Sequence, residues 1–219
     1  LSCTGTGEPD PLAGEPMDLG DTQGRVVHID STEFDQLCAI VTYPTNGESS
    51  WEEGAAVVVY VRPGITEGME TNPPSAFQGP SGVVEVLGVH PGLEWYGCQT
   101  SGEFSHGGDF AALAMSEVMH FALGQRTTVE GLRIDQLVNQ PVCNSAITVA
   151  SSSSGAPTAT NALTKSPHLA NRVLGLVTFE PVSSPQFVQA EPGHIYIDPD
   201  DEVDGDGNGL AWDDGRNLS

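Results

Sequence analysis

Basic residues are scarce in this chain of 219 residues, which has 7 lysines and arginines against 30 acidic residues and a formal net charge of -23. Its one lysine is Lys165. Such a surface repels the phosphates of nucleic acids and of anionic membranes, so we expect neither as a partner. The same composition is typical of proteins that stay soluble in high salt and of secreted calcium-binding proteins, and composition alone leaves both open.

Several functional signatures are also missing. The sequence has no apolar run of the roughly 18 residues that a membrane-spanning helix needs. It has no G-x-G-x-x-G after a predicted strand and no Walker pattern, which argues against a nucleotide site. None of its four cysteines forms a C-x-x-C pair, which argues against zinc.

The four cysteines, Cys3, Cys38, Cys98 and Cys143, favour two disulfides in an exported protein. Pairing in chain order would join Cys3 to Cys38 and Cys98 to Cys143, although the sequence does not fix the pairing. An alternative is that the first three residues are the start of a processed lipoprotein with Cys3 acylated. Either way, we expect an extracellular or cell-surface protein.

Apolar, β-branched runs bounded by turn residues predict six strands. They cover residues 25–29, 38–43, Ala55–Val61, 82–89, 146–150 and Val173–Phe179. Two of them, Ala55–Val61 and 146–150, are almost continuously apolar, which is typical of strands covered on both faces of a parallel sheet.

Helical periodicity appears between the fourth and fifth strands, over residues 109–123. The periodic apolar positions are Phe110, Leu113, Ala114, Val118 and Phe121. We predict Asp109 as the N-cap and Gly124 as the stop, and a second helix over 157–164. Strands and helices in this order predict an α/β fold with a mostly parallel central sheet flanked by helices.

The chain divides by composition into three parts. Residues 1–24 are polar and rich in glycine and proline, and we expect an extended N-terminal arm. Residues 25–197 carry the α/β domain, and residues 198–219 form an acidic segment that reads as a calcium-binding loop or insertion.

Four consecutive serines follow the fifth predicted strand, in AITVASSSSGAPTATNAL. A nucleophilic serine on a sharp strand-to-helix turn needs small residues two positions before and after it. With Ser153 at the centre these are Ser151 and Gly155; Ser152 and Ser154 are alternatives if the turn shifts by one. A serine-rich linker is the competing interpretation, but the apolar strand that follows favours the turn.

This order of motifs resembles the α/β-hydrolase family over about residues 25–183, with serine in place of glycine two positions before the nucleophile. The resemblance implies Ser153 as nucleophile. It implies Glu180, after the sixth strand, as the acid, with Asp198 as a second candidate and a structural or solvated carboxylate as the alternative interpretation of Glu180. It also implies an oxyanion hole from the backbone of Ser154 and the loop Arg62, Pro63 and Gly64, similar to the family's H-G-G loop.

Two residues at strand ends, Arg62 and His90, also have interpretations that do not involve catalysis or binding. Arg62 reads as a surface ion-pair residue, with the binding of an anionic group as the alternative. His90 follows the fourth predicted strand and, like His106, reads as a loop residue, with a place in a substrate cleft as the alternative.

In the family, a catalytic triad of serine, acid and histidine does the chemistry, and the acid and the histidine follow the serine in the chain. The sequence departs from this pattern at the histidine. His168 falls in the region of the second helix, and His194 comes too early. We therefore expect an incomplete sheet, with the histidine supplied by further chain or by a second polypeptide. The alternative is a non-catalytic extracellular structural or assembly subunit on the same scaffold.

The acidic segment resembles the calcium loop of EF-hand and dockerin-type repeats, in which acidic or amide residues alternate up to a glycine. Two overlapping registers are open, and their ligands would be drawn from Glu202, Asp204, Asp206, Asn208 and Asp213. A solvated acidic segment is the competing interpretation. We expect Ca²⁺ in a structural role beside an exported serine hydrolase of small-molecule or polymer esters.

Overall fold

The computed structural model describes residues 2–47, 49, 51–62, 82–105, 108–153 and 155–179. The strands in this part of the chain are β1 Met17–Asp18, β2 Thr22–Ile29, β3 Leu37–Pro44, β4 Ala55–Val61, β5 Val84–Gly88, β6 Glu94–Trp95, β7 Cys98–Gln99, β8 Val142–Ser152 and β9 Val173–Phe179. The α-helices are α1 Asp109–Ala122, α2 Gly155–Lys165 and α3 Pro167–Ala170.

Seven strands form one sheet in the order β1-β2-β3-β5-β4-β8-β9, and β6 and β7 form a separate hairpin. Strands β5, β4, β8 and β9 run parallel, whereas β3 is antiparallel to both of its neighbours. The predicted α/β fold with a mostly parallel central sheet is confirmed. Because β4 lies between β5 and β8, the carboxyl ends of these three strands meet at one edge of the sheet.

The apolar runs become strands because both faces of the central sheet are covered. All eight residues of β3 are buried, and alternate residues belong to two different clusters. The larger cluster holds Val41, Val59 and Val86 together with the buried faces of α1, α2 and α3. The smaller cluster, on the opposite face, gathers around Cys38, Cys98 and Trp95.

Helix α1 was predicted within one residue of its observed end, but its cap and buried face differ from the prediction. The N-cap is Gly108, not Asp109, and the hydroxyl of Ser105 accepts a hydrogen bond from the N–H of Ala111. Phe110 lies outside the main core and contacts Phe34, with ring centroids 4.7 Å apart. Gly124 follows the helix with a φ of 67°, as its predicted role as a stop requires.

Two disulfides are present, but pairing in chain order is wrong. Cys3 bonds Cys143, and Cys38 bonds Cys98. The reason is long-range pairing: Thr4 exchanges two backbone hydrogen bonds of 2.8 Å with Val142, which brings Cys3 against the start of β8. An acylated Cys3 is therefore also wrong, since its sulfur is in a disulfide.

The last described strand, β9, leaves apolar side chains in solvent. Leu174 is 63 % exposed, Val177 50 % and Phe179 71 %, although β9 pairs with β8 along its length. None of the described helices is long and apolar enough to cross a membrane.

Candidate active site

The turn between β8 and α2 contains the central serine of the predicted motif. Strand β8 ends at Ser152 and α2 begins at Gly155, so the chain reverses into the helix within two residues. Ser153 has a φ of 46°, in the left-handed region that side chains other than glycine rarely adopt. Such strain persists where the surrounding structure enforces it, and it concentrates at functional sites. The segment is therefore a strand–turn–helix unit and not a linker.

Hydrogen bonds from both sides hold this turn in place. The N–H of Ser153 donates to the carbonyl of Phe179 at 2.9 Å, which ties the turn to β9. The N–H of Ala156 donates to the carbonyl of Ser153 at 3.1 Å, inside the first turn of α2. The N-terminus of α2, with its partial positive charge, thus faces the serine.

Gly155 is required by the close approach of α2 to the end of β4. A Cβ atom at this position would lie 2.2 Å from the carbonyl oxygen of Val61 and 2.6 Å from that of Arg62. No side chain fits at such distances. The small residue that the motif needs two positions after Ser153 thus has a direct steric cause.

The two preceding serines have other surroundings. Ser151 is 2 % exposed, and its hydroxyl has no hydrogen-bond partner in the described part of the chain. The hydroxyl of Ser152 lies 2.7 Å from that of Tyr60 on β4. Of the described serines in this run, Ser153 is the one that follows β8 and lies in the turn.

Arg62 follows β4 at the same edge of the sheet. Its carbonyl oxygen lies 2.8 Å from Nε2 of His90, and the central carbon of its guanidinium lies 3.5 Å from the centre of the Trp95 ring. Burial lowers the pKa of Arg62, and the charge of the nearby Glu85 is among the influences that raise it. The other predicted site residues, Pro63, Gly64, Ser154, Glu180 and the metal ligands within 202–214, lie outside the described residues.

His90 joins this edge two residues after β5, outside the strand, and its role as a substrate contact stays a prediction. It is 3 % exposed, and since a carbonyl only accepts, its Nε2 carries the proton. Burial lowers the pKa of His90, and the positive charge of Arg62 lowers it further, while the hydrogen bond to Arg62 opposes both. The sequence signal for His90 was its position just after a central strand. That strand neighbours the strand that Arg62 follows.

The site thus gathers Ser153, Arg62 and His90 at the carboxyl ends of β8, β4 and β5, where open α/β sheets bind ligands. No histidine within the described ranges is hydrogen-bonded to Ser153, and no cluster of three metal-ligating side chains occurs there.

Gly155→Ala should disrupt the turn, because the new methyl group would overlap the carbonyl oxygen of Val61. We expect a loss of about 1–3 kcal/mol or more in the free energy of unfolding, measured in urea. Gly175→Ala on β9 is the matched control, because a Cβ there meets nothing within 4 Å. Equal stability of the two variants would contradict the close approach described above.

The lowered pKa of His90 predicts a pH-dependent stability. Above the ordinary histidine pKa of about 6.5, the ring is neutral in both states and its contribution is constant. As the pH falls through that value, the unfolded chain binds a proton that the folded protein excludes, so the free energy of unfolding decreases.

His90→Gln, which keeps an N–H donor towards Arg62, should flatten this part of the profile in urea titrations between pH 8 and 5. His168→Gln, at an exposed position of α3, controls for the loss of a histidine elsewhere. An unchanged slope in the His90 variant would contradict the assignment of this pH dependence to His90.

Comparisons with known proteins support the fold. No protein-family model and no curated protein matches the sequence. The chain is similar to the structure of a fungal esterase from Rhizomucor miehei, with 15 % identity, a TM-score of 0.53, and coverage of 80 % of this chain and 48 % of the esterase. The chain thus spans less than half the length of that esterase.

Two other solved structures are similar at lower scores. One is brefeldin A esterase, described as a bacterial homologue of human hormone-sensitive lipase, with 14 % identity, a TM-score of 0.49, and coverage of 74 % of this chain and 41 % of that one. The other is an S-formylglutathione hydrolase from Agrobacterium tumefaciens, with 16 % identity, a TM-score of 0.46, and coverage of 78 % of this chain and 62 % of that one. At such identities a likeness shows the fold alone. Sheet order and the likeness to the fungal esterase together show that this chain has an α/β-hydrolase-like fold.

Proposed function

We propose that this protein is an exported serine hydrolase that cleaves esters, with Ser153 as its nucleophile. The observation that carries the proposal is the left-handed conformation of Ser153, on a two-residue turn between a central parallel strand and a helix. The turn is followed by Gly155, where the close contact with the end of β4 leaves no space for a side chain. A linker serine needs neither the strain nor the contact.

In the proposed reaction, Oγ of Ser153 attacks the acyl carbon and the carbonyl oxygen becomes an oxyanion. The alcohol then leaves with a proton, and water cleaves the acyl-serine to release the acid. The proposed oxyanion donors are the N–H of Ser154 and one from the loop after β4. Pro63 has no N–H, so this second donor would be Arg62 or Gly64.

The general base belongs to the part of the protein outside the described residues. We propose that Glu180 orients a histidine supplied by further chain or by a second polypeptide. The apolar side chains exposed on β9 support this, because such a strand is stabilised by an element packed over it. Glu180 directly follows that strand.

Export is supported by the two disulfides, which persist in oxidising compartments. We further propose that the segment 202–214 binds a structural Ca²⁺ ion through Glu202, Asp204, Asp206, Asn208 and Asp213. The support is the alternation of acidic residues with glycine in the sequence DGDGNG.

A fluorophosphonate probe tests the nucleophile, since it phosphonylates activated serines. In the calcium-loaded protein, together with the further chain or second polypeptide that supplies the histidine, we expect one adduct, mapped to Ser153 by peptide mass spectrometry, and its loss in Ser153→Ala.

Ser151→Ala is the matched control for this experiment. It should keep the label and gain about 1 kcal/mol of stability, because it removes a buried hydroxyl without a partner. Labelling that survives Ser153→Ala would contradict the assignment of the nucleophile. No labelling at all would favour the non-catalytic extracellular subunit.

Removal of calcium tests the acidic segment. A chelator should lower the melting temperature and added Ca²⁺ should restore it, because a ligand bound only by the folded state stabilises it by about 2.7 kcal/mol at one hundred times its Kd. The double variant Asp204→Asn, Asp206→Asn should melt at the same temperature with and without Ca²⁺. If neither the chelator nor Ca²⁺ changes the melting temperature of the protein without these substitutions, the calcium site is contradicted.

A further inference from the structure

We infer that His90 is a positioning residue for this site, which holds the end of β4 against the turn that carries Ser153. The contact is the hydrogen bond of 2.8 Å between Nε2 of His90 and the carbonyl oxygen of Arg62. Where it concerns catalysis, this inference rests on the proposed function. The alternative is that His90 only fills space beside the strand ends.

The carbonyl oxygen that His90 binds also lies against the start of α2. A Cβ atom at Gly155 would lie 2.6 Å from this oxygen and 2.2 Å from that of Val61. The helix that follows Ser153 therefore approaches β4 as closely as a glycine allows, and His90 contacts the same atom. One oxygen thus joins β4, α2 and the residue that follows β5 by two positions.

His90 reaches Arg62 because their strands are neighbours. Val61, the last residue of β4, pairs with Gly88, the last residue of β5. Arg62 is the next residue after β4, His90 comes two residues after Gly88, and adjacent strands lie about 4.8 Å apart. The imidazole spans that gap, so one side chain connects two segments that both leave the sheet at this edge.

A hydrogen bond to this carbonyl controls the direction in which the backbone leaves β4. The carbonyl of Arg62 lies in the plane of the peptide bond to Pro63, so a fixed oxygen fixes that plane. Proline at the next position also restricts Arg62 to extended conformations. The proposed oxyanion loop starts with this peptide, and a shift of about 1 Å in a catalytic group can reduce the rate by about a hundredfold.

His90 is held firmly enough to act as a fixed donor. The N–H of Val89 donates to the carbonyl of Cys38 at 3.1 Å, which ties the preceding residue to β3. The N–H of Leu93 donates to the carbonyl of His90 at 3.1 Å and closes a turn after it. Phe104 contacts the imidazole edge to face, with ring centroids 5.7 Å apart. Because the side chain is buried, water does not compete for its N–H.

The imidazole supplies a donor that a residue serving only as filler would lack. Its Nε2 carries the proton in this bond, because a carbonyl only accepts. Burial lowers the pKa of His90, which keeps the ring neutral at neutral pH. The bond therefore holds the backbone without placing a second positive charge beside Arg62.

A matched pair of amides tests the positioning role. His90→Gln and His90→Asn both carry an amide N–H donor, but the asparagine side chain is one methylene shorter and does not reach the carbonyl of Arg62. We expect kcat for 4-nitrophenyl butyrate to fall by about tenfold to a hundredfold in His90→Asn, with KM changed by less than about threefold. His90→Gln should keep kcat within about threefold of the unchanged protein.

These assays use the calcium-loaded protein together with the further chain or second polypeptide that supplies the general base, at temperatures where each variant is folded. Ile134→Val controls for a loss of core packing at the opposite end of β8, because it lies on the turn that precedes the first residue of that strand. It should leave kcat and KM unchanged. Equal kcat values in the Gln and Asn variants would overturn the positioning role and leave Ser153 as the nucleophile.

A measurement of stability tests the shared carbonyl contact without any turnover. The methyl group of Gly155→Ala overlaps the oxygen of Arg62 that His90 holds, whereas in His90→Asn this oxygen is free to move aside. In urea titrations, we therefore expect the factor by which Gly155→Ala reduces the folding equilibrium constant to be about threefold or more smaller in the His90→Asn background. Gly175→Ala, which meets nothing within 4 Å, should have the same effect in both backgrounds.

Additive effects of His90→Asn and Gly155→Ala would overturn the shared contact. The two experiments also separate this inference from the proposed function. A protein that neither hydrolyses the ester nor reacts with the fluorophosphonate would contradict the proposed function, and the urea titrations alone would then decide whether His90 holds the end of β4 against α2.

Discussion

The first residue of α2 lies directly against the carbonyl oxygens at the end of β4, and the geometry of the site depends on that contact. It allows only glycine at position 155, and with it the turn that holds Ser153 at a φ of 46°. The same contact places the residue after β4 beside the serine. One steric constraint between a helix terminus and a strand end therefore positions the proposed nucleophile and the backbone of Arg62, the first residue of its proposed oxyanion loop.

The rest of the fold keeps that contact in place. Strand β4 is held between two parallel neighbours, and α1 packs so closely on β5 that a Cβ at Gly88 would lie 2.6 Å from the sulfur of Met115. One disulfide fixes the N-terminal segment to the start of β8, and the other fixes the hairpin that carries Trp95 to β3. These described elements allow a strained serine and a half-buried arginine to persist in the folded state.

Local features of the sequence predicted the fold well where the structural cause is local. The bounds of β4 and β9 were predicted residue for residue, because turn residues or polar residues flank each apolar run. Strand β8 begins four residues earlier than predicted, because Cys143 and Asn144 join the sheet through contacts with the N-terminal segment. Periodicity placed α1 but not its buried face, since tertiary packing decides which of its residues are covered.

For the site, too, the sequence showed the local pattern but not the long-range contacts. The glycine two positions after Ser153 was visible as a pattern, while its cause, the end of β4, is distant in the chain. The disulfide pairing, the stacking of Arg62 on Trp95 and the burial of His90 all join segments far apart in sequence, and no local pattern encodes them.

Direct observation of an acyl-serine during turnover tests the central claim most closely. The full, calcium-loaded protein would be mixed with an excess of 4-nitrophenyl butyrate, quenched in acid within milliseconds and digested for mass spectrometry. We expect a burst of 4-nitrophenol and a butyryl group on the peptide at Ser153. Hydrolysis without that adduct, or with an adduct on another residue, would contradict the claim.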